Sequence, residues 1–392
     1  MSDMIYNFPF AIHFGWGETE NVAGHVKDLK GTKVLIVTDE GCTKVGLLMD
    51  VIASLEGEGM PYEVFDGVQP NPTDKNVMEG LSVYCEAGCD TVIAVGGGSP
   101  MDAAKGVILM ANHPGRIEEY YIDLAPRKPI TGDVPPLIAV PTTSGTGSET
   151  SKGGIITDTK ENRKRAIISR HLLPKVTVLD PSLAVSMPPR LTAHTGLDAL
   201  SHSLEAIAVD RYAPLADAFA WQGIRLVADS LVKAFDDGGD RRAREDMMMA
   251  STMGSLAFSK GLGVVHSIAH QLSPQTGIPH GAACGVMLPH AIRFNLAEGP
   301  AKERVAIKYT ETARIFGADS EGMTAIEFAG EAADVVHKLL LRLEVEPRLS
   351  VWGVTEEDIG VMAPNAMLDH CHPRNPRPCA EEDMVALLKV AL

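Results

Sequence analysis

The rhythm of hydrophobic positions changes part-way along this chain. Between about residues 30 and 145, short continuous apolar runs alternate with segments whose apolar residues recur three and four apart. The runs are 33–38 (KVLIVT), 62–68 (YEVFDGV), 90–95 (DTVIAV) and 136–140 (PLIAV), and the helical patterns include 74–86 and 101–111. Continuous β-branched runs separated by helices predict a parallel sheet covered on both faces. Around 154–188 the chain reads as extended and proline-punctuated, and the prolines within 186–189 predict a hinge. Beyond it, strand signals all but vanish. Helical patterns follow at 192–209, 214–235, 242–259, 302–316, 323–343, 356–369 and 381–390, with a capping-box pattern at Thr355 and Asp358. The expected fold class is α/β followed by all-α, with a parallel-sheet domain at 1–188 and a helical domain at 189–392. Two segments, 236–244 (DDGGDRRAR) and 273–281 (SPQTGIPHG), read as exposed loops.

Length and charge narrow the function classes. A chain of 392 residues fits about two domains of ordinary size. With 35 Lys+Arg against 51 Asp+Glu, the formal charge is −16, which argues against a nucleic-acid or anionic-membrane binder. No apolar run approaches the roughly 18–20 residues of a membrane-spanning helix. The first residues carry an Asp and no Lys or Arg, unlike a secretory leader. The six cysteines form no CxxC pair and are too sparse for a disulfide scaffold, so a reducing cytoplasm is expected. Glycine, at 37 residues, is mildly enriched, and part of that excess falls in two loops.

The first loop is Gly96-Gly97-Gly98-Ser99-Pro100, which ends an apolar run and opens a helical pattern. Glycines let backbone amides approach a ligand closely, and a helix N-terminus offers free N–H groups, so the loop suits a pyrophosphate. Ser99 is expected at the cap and Pro100 in the first turn. It is neither a GxGxxG fingerprint nor a P-loop. Asp39 follows the first run, where a carboxylate can accept ribose hydroxyls and repel a 2′-phosphate, favouring NAD(H) over NADP(H). The second loop, Pro141-Thr142-Thr143-Ser144-Gly145-Thr146-Gly147-Ser148-Glu149, offers hydroxyls and amides at another strand end.

Imidazoles cluster in the second half. Asp198 and His202 lie four apart in a helical pattern, His266 and His270 repeat that spacing, and His280 follows. One carboxylate among several imidazoles suits Fe(II) or Zn(II) better than Mg(II) or Ca(II). The pair His266/His270 lacks the glutamate of an HExxH hydrolase. His13, His25, His113, His171 and His194 show no comparable partners in sequence, and His290 reads as a packing residue.

Together these segments resemble the iron-containing, group III alcohol dehydrogenase family along essentially the whole chain. The resemblance rests on Asp39, Pro70-Asn71-Pro72-Thr73, Gly96–Ser99 with Asp102, Pro141–Glu149, Thr195–His202, Gly263–His270, His280-Gly281 and Asn375-Pro376-Arg377. It implies a Rossmann-like N-terminal domain, an all-helical C-terminal domain and an active site in the cleft between them. It also implies one divalent ion, Fe2+ or alternatively Zn2+, on Asp198, His202, His266 and His280, with His270 near the reacting centre. NAD(H) would be contacted by Asp39, Asn71, Gly97, Gly98, Ser99, Asp102, Thr142, Thr143 and Lys164. A homo-oligomer, dimer or larger, is expected.

Two departures mark this chain. Leu272-Ser273-Pro274 replaces the small residues that many relatives carry after the HxxxH pair, and Asp369-His370-Cys371-His372-Pro373-Arg374 precedes Asn375. His372 and Arg374, with Lys152, predict a basic pocket mouth and a small aldehyde or alcohol bearing an anionic group, of which sulfoacetaldehyde is one example. The expected activity is hydride transfer between NAD(H) and that substrate, with His270 as proton relay. The alternatives are an NAD- and metal-dependent polyol-phosphate dehydrogenase, a dehydroquinate-synthase-like lyase, or a non-enzymatic binding protein of the same fold.

Overall fold

The structure is a computed structural model that describes Tyr6, Phe8 and residues 10–392. The first five residues, on which the leader expectation rests, lie outside the described residues. The chain divides into two compact units. One is the α/β part up to Thr143 with Gly147–Ser186, and the other is Met187–Leu392 with the short segment Ser144–Thr146.

In the α/β unit the elements run β1 (Ala11–Phe14), α1 (Val22–Asp28), β2 (Val34–Val37), α2 (Glu40–Lys44), α3 (Met49–Gly57), β3 (Tyr62–Phe65), α4 (Asp74–Ala87), β4 (Thr91–Gly96), α5 (Gly98–Asn112) and β5 (Leu137–Pro141). A hairpin of β6 (Gly153–Asp158) and β7 (Arg163–Ile168) follows, then β8 (Val176–Leu179). Six strands form one sheet in the order β1-β8-β5-β4-β2-β3, every pairing parallel. Alternation along the strands feeds two cores. Leu35, Val37, Val92 and Ala94 pack with α4 and α5 on one face, while Val34, Ile36, Ile93 and Val95 pack with α1 and α3 on the other. This double burial explains why β2, β4 and β5 read as continuous apolar runs.

Strand β1 was not legible in the sequence. It is four residues long at the sheet edge, and only His13 in it is even half-buried, so it lacks an apolar run. Pro189, expected to interrupt helix, instead starts one. At the first helical position the missing N–H is not needed and the ring's φ already suits the helix.

The second unit is a bundle of α6 (Pro189–Ala208), α7 (Pro214–Asp236), α8 (Arg241–Phe258), α9 (Val264–Thr276), α10 (His280–Ala297), α11 (Lys302–Ile315), α12 (Ala325–Arg342), α13 (Glu356–Met367) and α14 (Glu381–Ala391). The central helix α6 is buried on nearly every face and packs on α7, α8 and α10. The expected capping box forms: Thr355 Oγ1 accepts from Asp358 N at 3.4 Å while Thr355 N donates to Asp358 Oδ2 at 2.8 Å.

Both expected loops are shorter than the sequence implied. Helix α9 continues through Pro274 to Thr276, and α10 resumes at His280. Arg244, placed in an exposed loop by its charge, is fully buried in α8. Its guanidinium donates to the carbonyls of Gly238 at 2.9 Å and Met187 at 3.3 Å and to Thr192 Oγ1 at 2.9 Å, which satisfies the charge without a carboxylate. Among the described residues, no helix is long and apolar enough to cross a membrane.

Candidate functional site

The helical unit gathers the predicted ligands from three helices. Asp198 and His202 share one face of α6, His266 lies on α9, and His280 opens α10. The close approach of α10 to α6 is set by Gly281, where an added Cβ would fall 1.9 Å from the carbonyl oxygen of His194. Asp198 Oδ1 stands 3.6 Å from His266 Nε2, 3.6 Å from His280 Nε2 and 3.9 Å from His202 Nε2. These separations are too long for hydrogen bonds and close to the edge of a tetrahedron with bonds of about 2.1 Å, roughly 3.4 Å. Asp198 Oδ1 is buried and makes no hydrogen bond. A buried anionic oxygen without a donor is unfavourable unless a cation occupies the space beside it.

Electrostatics agree. Burial alone would raise the Asp198 carboxyl, but His202, His280 and His266 outweigh it and hold it well below the usual carboxylate range. Burial lowers the His202 imidazole to about 4, which leaves one ring nitrogen with a free lone pair at neutral pH. Cys284, one turn after His280 on α10, also enters the cluster, with Sγ 3.9 Å from His266 Nε2 and 3.7 Å from His280 Nε2. Burial pushes its thiol up to about 11, so at neutral pH it is a protonated wall beside the four-residue set.

Two carboxylates that sequence reasoning missed orient the imidazoles. Glu205 Oε2 lies 2.5 Å from His266 Nδ1, and Asp369 Oδ2 lies 2.9 Å from His270 Nδ1. Asp369 Oδ1 also accepts from Ser267 Oγ at 3.0 Å and from Cys371 N at 2.9 Å, so the carboxylate is fixed from three sides. Glu205 had a signal: it lies seven residues after Asp198, two turns along the same face of α6. Asp369 had none, because its partner is about a hundred positions away. Of the expected pocket-mouth residues, His372 is tied to its own loop, with Nε2 2.9 Å from the Met367 carbonyl and Nδ1 3.5 Å from Cys379 Sγ. Its ring nitrogens are engaged within the protein. Arg374 is exposed, with its stem against Gly261. Lys152, in the α/β unit, is exposed.

In the α/β unit the predicted nucleotide residues gather at the carboxyl ends of adjacent strands. Gly96 adopts a φ of 145°, open to glycine, and a Cβ there would meet the Pro100 ring at 2.6 Å. The chain therefore turns at the last strand residue and α5 begins at Gly98, with Gly97 as its cap, two residues earlier than the Ser99 cap expected from sequence. Thr142 N donates to the Gly96 carbonyl at 3.0 Å, and Thr143 Oγ1 stands 3.2 Å from where a Gly97 Cβ would be. Asp39, two residues past β2, caps α2 and accepts from Cys42 N at 3.0 Å. Asn71, at a φ of 57°, offers its carbonyl to the Thr157 hydroxyl at 3.4 Å, and Thr157 pairs in register with Lys164. Asp102 accepts from Ser148 Oγ at 2.6 Å and Ile155 N at 2.9 Å, which makes it a brace for this rim. The buried Lys105, unremarked in the sequence, clamps the same loop through the Ser148 carbonyl at 2.7 Å and the Gly153 carbonyl at 2.6 Å.

Residues 9–181 match the family model of iron-containing alcohol dehydrogenases, and residues 192–392 match the model of that family's C-terminal part. The chain belongs to the iron-containing alcohol dehydrogenase family. Among curated members, the 1,3-propanediol dehydrogenase of Klebsiella pneumoniae is 36% identical over 98% of this chain and 98% of that protein. A crystal structure of a 1,3-propanediol oxidoreductase superposes with a TM-score of 0.93 at 36% identity, covering 100% of both chains. The sulfoacetaldehyde reductase of Bifidobacterium kashiwanohense in complex with NAD+ superposes with a TM-score of 0.87 at 27% identity, covering 100% of this chain and 99% of that one. Members of this family are oxidoreductases acting on alcohols and their carbonyl counterparts.

Proposed function

We propose that this family member is a metal-dependent, NAD(H)-linked alcohol dehydrogenase or aldehyde reductase. The observation that carries the reading is the orphaned, buried Asp198 Oδ1 with three imidazole Nε2 atoms 3.6–3.9 Å from it. Asp198, His202, His266 and His280 would hold Fe2+, or alternatively Zn2+. Such an ion, when bound, supplies positive charge that makes an alcohol more acidic and a carbonyl more electrophilic. Glu205 fixes the His266 tautomer by accepting from Nδ1, which turns Nε2 toward Asp198. Asp369, ionised and hydrogen-bonded, accepts from His270 Nδ1, so the His270 Nε2 lone pair can take up or return the alcohol proton. Gly97, Gly98 and Ser99 would present amides to a pyrophosphate, and Asp39 would accept ribose hydroxyls and disfavour a 2′-phosphate. Thr142, Thr143, Asn71, Asp102 and Lys164 complete that rim.

The substrate is proposed to be a small aldehyde or alcohol, with an anionic group favoured by Arg374. Sulfoacetaldehyde is the example supported by the NAD+-bound relative. With the nitrogens of His372 engaged elsewhere, Arg374 carries this selectivity. A homo-oligomer is supported by the exposed apolar Ile12 and Phe14 on edge strand β1, and a cytoplasmic location by the free cysteines. The protein reconstituted with Fe(II) or Zn(II) is expected to oxidise NADH with small aldehydes, followed at 340 nm across neutral and anionic members of equal length. No substrate-dependent signal with either metal would overturn the dehydrogenase reading. Equal kcat/KM for both members, unchanged in Arg374→Ala, would overturn the anion selectivity alone.

A further inference from the structure

A second set of metal-ligating side chains stands in the α/β unit. His13 on β1, Glu18 in the turn after it and His25 on α1 bring one donor atom each to within 4.8 Å of one another. No local pattern pairs them, since their spacings of five and seven residues cross from a strand through a glycine-bearing turn to a helix. The two imidazole rings lie with centroids 4.1 Å apart at 43°. His25 Nε2 is buried and has no hydrogen-bond partner. The side-chain amide of Asn21 donates to Glu18 Oε2 at 3.3 Å and steadies the carboxylate.

Each feature is unfavourable for a metal-free structural role and favourable for a ligand set. A buried ring nitrogen with no donor or acceptor loses its hydration without return. Two imidazoles and one carboxylate, with further positions open to water, match the preferences of Zn(II), Ni(II) or Cu(II) and not those of Ca(II) or Mg(II).

We propose that His13, Glu18 and His25 form a second site, for a divalent transition-metal ion, that ties edge strand β1 to helix α1. It is separate from the Asp198 cluster in residues and in compact unit, and it stands whether or not the dehydrogenase reading does. The test is a Zn(II) titration of the full-length protein already holding its first equivalent of metal, followed by calorimetry and by metal analysis after desalting. The wild type is expected to take up one further equivalent. His25→Ala and Glu18→Gln are expected to lose it or to bind at least about tenfold more weakly, with dehydrogenase activity unchanged. His13→Gln, on the exposed edge strand, serves where His25→Ala does not fold. A wild type that saturates at one equivalent, or variants that bind the second as tightly as wild type, would overturn the proposal.

Discussion

The two compact units place chemistry in opposite ways. The helical unit uses side chains: a carboxylate and imidazoles projected from three helices into a largely buried space. The α/β unit uses the backbone: strand ends and a helix start, where glycines keep side chains out of the way. The first solution needs helices held at fixed separation, and the second needs one turn of the right shape. Glycine serves both, but Gly281 lets two helices touch while Gly97 keeps an approach open. The difference teaches that a residue's sensitivity to substitution follows what lies against it more than its place in a motif.

Gly281→Ala should show the largest effect. Its Cβ would sit 1.9 Å from the His194 carbonyl, backbone that cannot rotate away, so α10 must shift from α6 and carry His280 with it. A stability loss of about 3 kcal/mol is expected, read by denaturant unfolding, together with reduced metal content. Wild-type stability and full metal occupancy would break the contrast.

Acid should act next, and on the helical unit. Burial, with Arg190, lowers His194 to about 4, and its ring stands edge-on to Trp352 at 6.0 Å. A lowered folded-state value means that the unfolded chain takes the proton first. Above about pH 6.5 nothing is lost, and stability falls as pH drops from there toward 4, by up to about 3 kcal/mol for this group. His194→Gln should flatten that limb of the Tm-versus-pH curve, whatever its effect at pH 8. An equal slope in the variant would remove His194 from the account.

Gly97→Ala is expected to be mild for folding. Its Cβ meets a Thr143 hydroxyl at 3.2 Å, which a small side-chain adjustment relieves. The expected change is below about 1 kcal/mol in stability, with a several-fold rise in KM for NADH if the amides are used as proposed. A large loss of stability with unchanged KM would reverse the assignment of roles to the two glycines.

Much of this organisation was legible because it is periodic. Buried parallel strands announced β2, β4 and β5 as apolar runs, and four-residue spacings put Asp198 with His202 and His266 with His270. What stayed hidden joins distant segments or contradicts composition. Asp369 reaches His270 across about a hundred positions, and His13 meets His25 only because a turn folds α1 back beside β1. Arg244 read as a surface charge and Lys105 drew no reading, yet both are buried among carbonyl acceptors, and no local pattern distinguishes a charge with such partners from a solvated one. Ser99 missed the cap by two residues because φ freedom at Gly96 moved the turn into the strand.

Strand β1 has a bearing on how the molecule is made. It precedes every other strand of the sheet along the chain, yet its hydrogen-bonding partner is β8, paired Ala11 with Val176 through Phe14 with Leu179. During translation it has no strand to pair with until some 165 further residues have left the ribosome. The sheet can assemble outward from β2 and β4, but the edge is finished by the sheet's first strand waiting for its last, a long loop closure of the kind that slows folding. A nascent chain stalled before residue 176 should hold β1 susceptible to protease, and one stalled after the α/β unit has cleared the exit tunnel should protect it.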